Sequence, residues 1–259
     1  MTSGFRPVWI IATNTYREII RDRILYGIVV FALLLIGISI ALGQLSYAEQ
    51  ARISADFGFT GIQMSAAILA IFAGSTLVAR EIEKQTVLTL LARPVSRAQF
   101  LMGKYVGLSL VVLTVVAGLA LVLIGLLLAL DFAIGVSFFV ALLGIALESM
   151  VLTALALFFG SFARPIMTVV FTVSLFMIGH WVKSLEFFVK KSESEGFRIF
   201  GKILGQIIPN LEKFNWRSAP IYNWVVPQKE VLLAVGYGLG WTVFLMVATT
   251  LIFRRRDFV

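Results

Sequence analysis

The run YVGLSLVVLTVVAGLALVLIGLLLAL occupies residues 105–130 and contains no charged side chain. As an α-helix rising 1.5 Å per residue it would reach about 39 Å, enough to cross the roughly 30 Å hydrocarbon core of a bilayer with tilt or with a turn left outside. The rest of the chain carries the same signature. Of its 259 residues 59% are hydrophobic and 14% charged, and the mean hydropathy is +0.96. A soluble domain carries about 25% charged residues. The deficit comes from long charge-free stretches, so the bilayer is the solvent to reason with. Further apolar segments near the roughly 17–25 residues that a span requires lie at 24–43, 61–79, 136–163, 166–182 and 231–253, and 131–135 forms a tight turn. The expected fold is all-α: a polytopic membrane protein of six transmembrane helices in one domain, 1–259.

Ahead of the first span, positions 5, 8, 9, 12, 16, 19 and 20 are apolar or small, at the steps of three and four that mark one helix face. Arg6, Asn14, Arg17, Glu18, Arg21 and Asp22 fall on the other side. With Trp9 and Tyr16 on its apolar face, segment 1–23 fits an interfacial amphipathic helix lying along the membrane. It fits equally a helix packed on its own bundle, and the two are compatible. The segment has no compact apolar core ending at a small-residue cleavage site, so the first span is expected to act as an uncleaved signal.

Lys and Arg set orientation. With the N-terminus inside, thirteen of the 22 fall at inner segments 1–23, 80–104, Arg164 and 254–256. Nine fall outside, one of them (Arg52) in the first loop and eight in the long segment 183–230. Long segments translocate with little regard to charge, so the short segments decide, thirteen against one: N-in and C-in. The net charge of +8 therefore belongs to helix flanks and not to a basic face built for nucleic acid. The chain has no Cys and a single His, His180, which excludes disulfides, structural zinc and iron–sulfur clusters within it.

In the long outer segment 183–230, Phe197, Phe200, Ile203, Leu204, Ile207 and Ile208 recur at helical spacing until Pro209 and Asn210 break the pattern. This predicts one or two amphipathic helices on the outer membrane surface, either capping the bundle or offering a surface to an extracytoplasmic protein. No repeat relates the two halves, which counts against an inverted-repeat secondary transporter.

No enzyme constellation is present. His180, placed by the span boundaries near the outer end of span five, has no Ser/Asp arrangement around it and is expected to lie too far outward to partner Glu148. Gly103-Lys104 fails the phosphate-loop pattern, because Ala98 stands where the upstream glycine is required and Tyr105 where Ser or Thr would meet magnesium. Glu148, in the middle of span four, is the one intramembrane acid. An ionised carboxylate there costs several kcal/mol, so the residue serves either function or a packing hydrogen bond between helices. Ala66, Ala70 and Gly74, and Gly236 with Gly240, form small-residue faces that let helices approach.

The inner loop between spans two and three, residues 80–104, reads REIEKQTVLTLLARPVSRAQFLMGK. Its first half favours helix up to Ala92, with an amphipathic edge at Val87, Leu90 and Leu91. Pro94 disfavours helix at Arg93, so the chain turns there. Ser96 and Gln99 form a capping-box pattern that starts the helix of span three. A short cytoplasmic helix held between two membrane helices suits a lever for a partner, or a plain structured connector.

Glu81, Glu83, Thr86, Leu90, Leu91, Pro94, Val95, Ser96, Arg97, Gly103 and Lys104, at this place between spans two and three, resemble the pattern of permease subunits of ABC-2 type ATP-binding-cassette transporters. Gln85 departs from it, where the family often has Gly. The six spans and N-terminal helix extend the resemblance loosely over the whole chain, nearest to the branch of nitrous-oxide-reductase-maturation and gliding-type permeases. The resemblance implies an inner-membrane homodimer joined to two copies of a cytoplasmic ATPase. ATP and magnesium would sit on that ATPase and no cofactor or catalysis on this chain. It also implies that Glu81, Glu83, Thr86, Leu90, Leu91, Pro94, Ser96 and Arg97 belong to the coupling helix. Export of a substrate is the expectation; the alternative is a mechanotransmission subunit that passes ATPase motion to an outer partner without transport.

Overall fold

The computed structural model describes residues 5–44, 49–83, 96–192 and 194–255. They are helical apart from short turns and irregular stretches, with no strand among the described residues. The long helices are α1 (Phe5–Ile20), α2 (Arg23–Gly43), α3 (Gln50–Glu83), α4 (Arg97–Ala129), α5 (Val136–Gly160) and α6 (Pro165–Lys191). After them come α7 (Glu195–Ile207), a 3₁₀ turn at Leu211–Phe214, the one-turn α8 (Ser218–Ile221) and α9 (Gln228–Arg255). Helices α2, α3, α4, α5, α6 and α9 are each long and apolar enough to cross a bilayer. The chain is an all-α, multi-pass membrane protein.

Local signals start these helices where backbone donors would otherwise be orphaned. Asp22 Oδ1 accepts from Ile24 N at 3.0 Å and caps α2. Ser96 caps α4 in a reciprocal box: Gln99 N donates to Ser96 Oγ at 3.2 Å, and Ser96 N donates to Gln99 Oε1 at 2.9 Å. Pro165 opens α6, where its missing N–H costs nothing. The turn between α4 and α5 is made by Asp131 at φ 54°, a left-handed conformation that Asp tolerates better than most residues.

Helices α3 and α5 form the centre. In each, 67% of the membrane-crossing window is buried, against 22% in α6 and in α9. Helix α3 packs on α2, α4, α5 and α6, and α5 also meets α4, α6 and α9. The small-residue face of α3 is the seam with α5: Ala66 and Ala70 are buried, and a Cβ on Gly74 would stand 2.6 Å from that of Ala156. In a bilayer, where burying apolar surface from lipid gains little, such close approach is what dispersion requires. The matching face on α9 is used differently. Nothing lies within 4 Å of a Cβ at Gly236 or Gly240, while Gly238 meets the Phe214 ring at 3.3 Å. Buried hydroxyls bond back along their own helices, as Thr153 does to Ser149 O at 2.8 Å and Thr172 to Thr168 O at 2.7 Å.

Two helices are longer than their apolar runs predict. Helix α3 begins at Gln50 although Arg52 and Asp56 precede the charge-free stretch, and α6 continues to Lys191, past the break expected at residue 182. Helix α1 packs chiefly on α4. It buries Ala12, Thr15 and Ile19 and leaves Trp9 and Ile10 exposed. The bundle thus has a first end, carrying α1, and a second end, carrying residues 208–226.

Candidate functional site

Three polar side chains meet in the apolar middle of the bundle. Gln63 on α3, Glu148 on α5 and His180 on α6 each lie close to the midpoint of their helix. Gln63 Nε2 donates to Glu148 Oε2 at 2.7 Å and stands 3.3 Å from His180 Nε2. His180 Nε2 is 3.4 Å from Glu148 Oε1, without the geometry of a made hydrogen bond. His180 Nδ1 lies 3.0 Å from the Phe176 carbonyl, and the Phe176 ring packs edge-on against the imidazole. Glu148 is 2% exposed, so its carboxylate sits inside protein, while the His180 side chain keeps 20% of its surface exposed.

This overturns the expectation that His180 lies too far outward to partner Glu148. That expectation took α6 to end near residue 182; because the helix runs on to Lys191, His180 falls at the level of Glu148. Gln63 was not singled out from sequence at all. Its signal was a lone amide inside an otherwise apolar run, a weak cue until a facing acid is known.

The cluster is roofed from the second end. Leu211, Phe214 and Ala219 are essentially fully buried and Trp216 nearly so. The backbone of this lobe presses on helix glycines: a Cβ on Gly144, one turn from Glu148, would collide with the Phe214 carbonyl, and one on Gly179 would stand 2.9 Å from the Pro209 carbonyl. Arg217 fastens it, with Nη1 donating to Thr60 Oγ1 at 2.9 Å and Nε to Asn215 Oδ1 at 3.0 Å. Asn215 Nδ2 in turn donates to the Glu212 carboxylate at 3.2 and 3.3 Å. Only α7 of the long outer segment has the expected amphipathic form, with Ile199, Ile203 and Ile207 exposed; residues 208–226 fold into the bundle instead.

At the first end, the beginning of α4 is tied to the end of α9. Arg97 Nη1 donates to Phe253 O at 2.8 Å, and the Phe100 and Phe253 rings stack at 6.2 Å. Gly103 and Gly107 admit α1: Cβ atoms there would stand 2.6 Å from Ile11 Cβ and from the Ala12 carbonyl. Lys104 is 5% exposed and reaches Glu18 on α1 at 3.8 Å. The Gly-Lys pair therefore docks a helix. Of the residues assigned to coupling, Glu81 and Glu83 end α3, while Ser96 and Arg97 begin α4. Thr86, Leu90, Leu91 and Pro94, with Val87 and Val95, lie outside the described residues. Among the described residues no group of His, Cys, Asp and Glu could hold a metal ion.

No curated protein matches the chain. The model of the family described as ABC-2 family transporter protein matches residues 9–258, nearly its whole length. The match runs through every membrane helix, including the paired termini of α3 and α4 and the α4–α9 tie. The chain belongs to the ABC-2 family of transporter proteins.

Proposed function

We propose that this chain is the permease subunit of an ATP-driven exporter in the inner membrane, working as a homodimer with two copies of a separate cytoplasmic ATPase. The observation that carries the reading is the family match over residues 9–258 in a chain whose Gly-Lys pair is spent on helix docking. The energy then has to enter from a partner, and residues 80–97 are the place for it. They connect the ends of α3 and α4, the first turn of α4 is fixed by a reciprocal cap, and Arg97 carries any displacement onward to α9. A push at this point would move three spans as one unit. The export substrate has no counterpart among the polar groups described.

The test is affinity purification from the native membrane in mild detergent, beside Glu83→Lys. An ATP-binding-cassette ATPase that co-purifies with the wild type and is released by the charge reversal supports the reading. A folded, dimeric protein that brings no ATPase sinks it. The alternative role, passing ATPase motion to an extracytoplasmic partner without transport, gains support from the lobe at 208–226, which is clamped to α3, α5 and α6 and would move with them. A photo-cross-linker at Ile203 that captures one protein only during ATP turnover would favour it.

A further inference from the structure

Gln63, Glu148 and His180 form a hydrogen-bonding puzzle with one economical solution. The Phe176 carbonyl can only accept, so the hydrogen between it and His180 belongs to Nδ1. In the neutral ring Nε2 is then a bare lone pair. Gln63 Nε2 satisfies both neighbours as a donor, to Glu148 Oε2 and to His180 Nε2. Two buried oxygens of the cluster are left without a hydrogen-bond partner, Gln63 Oε1 and Glu148 Oε1, and it is Glu148 Oε1 that stands 3.4 Å from that same Nε2. Two acceptors face each other across this gap unless a proton lies between them.

The other arrangements fail. A proton on Nε2 would make an imidazolium and set an N–H against the Gln63 amide hydrogens at 3.3 Å. Turning the Gln63 amide over would require hydrogens on both Glu148 Oε2 and His180 Nε2. The cluster would then carry a net positive charge in the middle of the bilayer. A proton on Glu148 Oε1 directed at His180 Nε2 leaves every member neutral and every close contact a donor facing an acceptor.

We infer that Gln63, Glu148 and His180 constitute an intramembrane binding site for a single proton, held between Glu148 Oε1 and His180 Nε2, which clamps α3, α5 and α6 together beneath the lobe of residues 208–226. Removing the proton turns the contact between α5 and α6 into a repulsion between lone pairs, so these helices part more readily. The charged groups that bear on the pair are Arg217 and Glu212 of the lobe. On α3 the nearest are Asp56 and Arg52, on α6 Lys183, and all three are exposed. At this level α4, α5 and α9 add no other charged side chain. The site stands apart from the ATPase-facing end and does not depend on the assignment of an ATPase.

The single histidine makes the test direct. The full-length protein is labelled with ¹⁵N-histidine, placed in lipid nanodiscs and observed by solid-state NMR at pH 7. The expected spectrum is one neutral imidazole, Nδ1 bearing hydrogen and Nε2 a hydrogen-bonded acceptor. An Nε2–H tautomer or an imidazolium overturns the proposal, and this measurement needs no variant. Glu148→Gln supplies the second arm, because its amide places a permanent donor where the proton sits. The protection factors of amides 60–66 in the wild type, that is, exchange corrected for its intrinsic rise with pH, should fall about tenfold when alkali removes the proton, the loss expected for one hydrogen bond. In Glu148→Gln the same protection factors should stay flat with pH. Equal alkaline responses in the two proteins would overturn the clamp.

Discussion

A hydrogen in place of a methyl group decides how deeply the second-end lobe can seat. Gly144 lies one turn from Glu148, and the Phe214 carbonyl occupies the space a side chain would need. Gly144→Ala should therefore lift the lobe and cost about 1–3 kcal/mol, the range for overpacking a close contact. Gly118 on α4 is the control: it is exposed with nothing within 4 Å of its Cβ position. Gly118→Ala should be neutral or stabilise by about 0.5–1 kcal/mol through helix propensity. Melting temperatures in one detergent check both; a neutral Gly144→Ala would mean the lobe is not seated on α5. At this scale the sequence is legible in part. Glu148 announces itself, because a lone acid in an apolar helix has no other reason to be cheap. Its partners do not. Pairing Gln63 with His180 requires knowing the vertical register of three helices to within a turn, and apolar run length fixes register no better than that.

Helix ends carry the next level of information. The capping box predicted at Ser96 and Gln99 is formed, and its two bonds set where α4 starts. Arg97, one residue on, turns inward to the end of α9. Ser96→Ala should cost about 1 kcal/mol, the usual loss for an N-cap, and should raise amide exchange in residues 97–101 alone. Arg97→Ala should raise exchange at the last turn of α9 as well, since Phe253 O loses a charged donor. If both variants fray only α4, the tie to α9 is not a mechanical link, and the route from residues 80–97 to the sixth span is lost with it. The spans themselves were readable because a charge-free run in lipid has one stable form. Their limits were not: α3 starts eleven residues before the run that revealed it, since a helix can continue into the interface with Arg52 and Asp56 exposed. The lobe was hidden for a different reason. Trp216, Pro220 and their neighbours follow no period, so nothing in their order distinguishes a buried plug from a surface loop.

For the whole molecule, charge sets the expectation for which end faces the cytoplasm. In the sequence thirteen Lys and Arg fall on the short segments 1–23, 80–104, Arg164 and 254–256, against one on the short loop that carries Arg52 and eight on the segment 183–230. Positive charge resists translocation most strongly within short loops near span ends. The first end, with α1 and the α3–α4 connection, is therefore expected inside, and α7 outside. A chain with no Cys permits a clean test. Asn14 on α1 and Gln206 on α7 are both exposed and uncharged, so Asn14→Cys and Gln206→Cys leave the charge balance untouched. A membrane-impermeant maleimide applied to intact spheroplasts should label Gln206→Cys at once and Asn14→Cys only after permeabilisation. The reverse pattern would put α7 and the lobe in the cytoplasm. It would also remove residues 80–97 from reach of any ATPase, so the permease reading would fall with the topology. Labelling of both from outside would mean that α1 crosses or leaves the membrane. Its seat on α4 through Gly103 and Gly107 argues against that, because that contact fixes α1 to the end of the bundle where α4 begins.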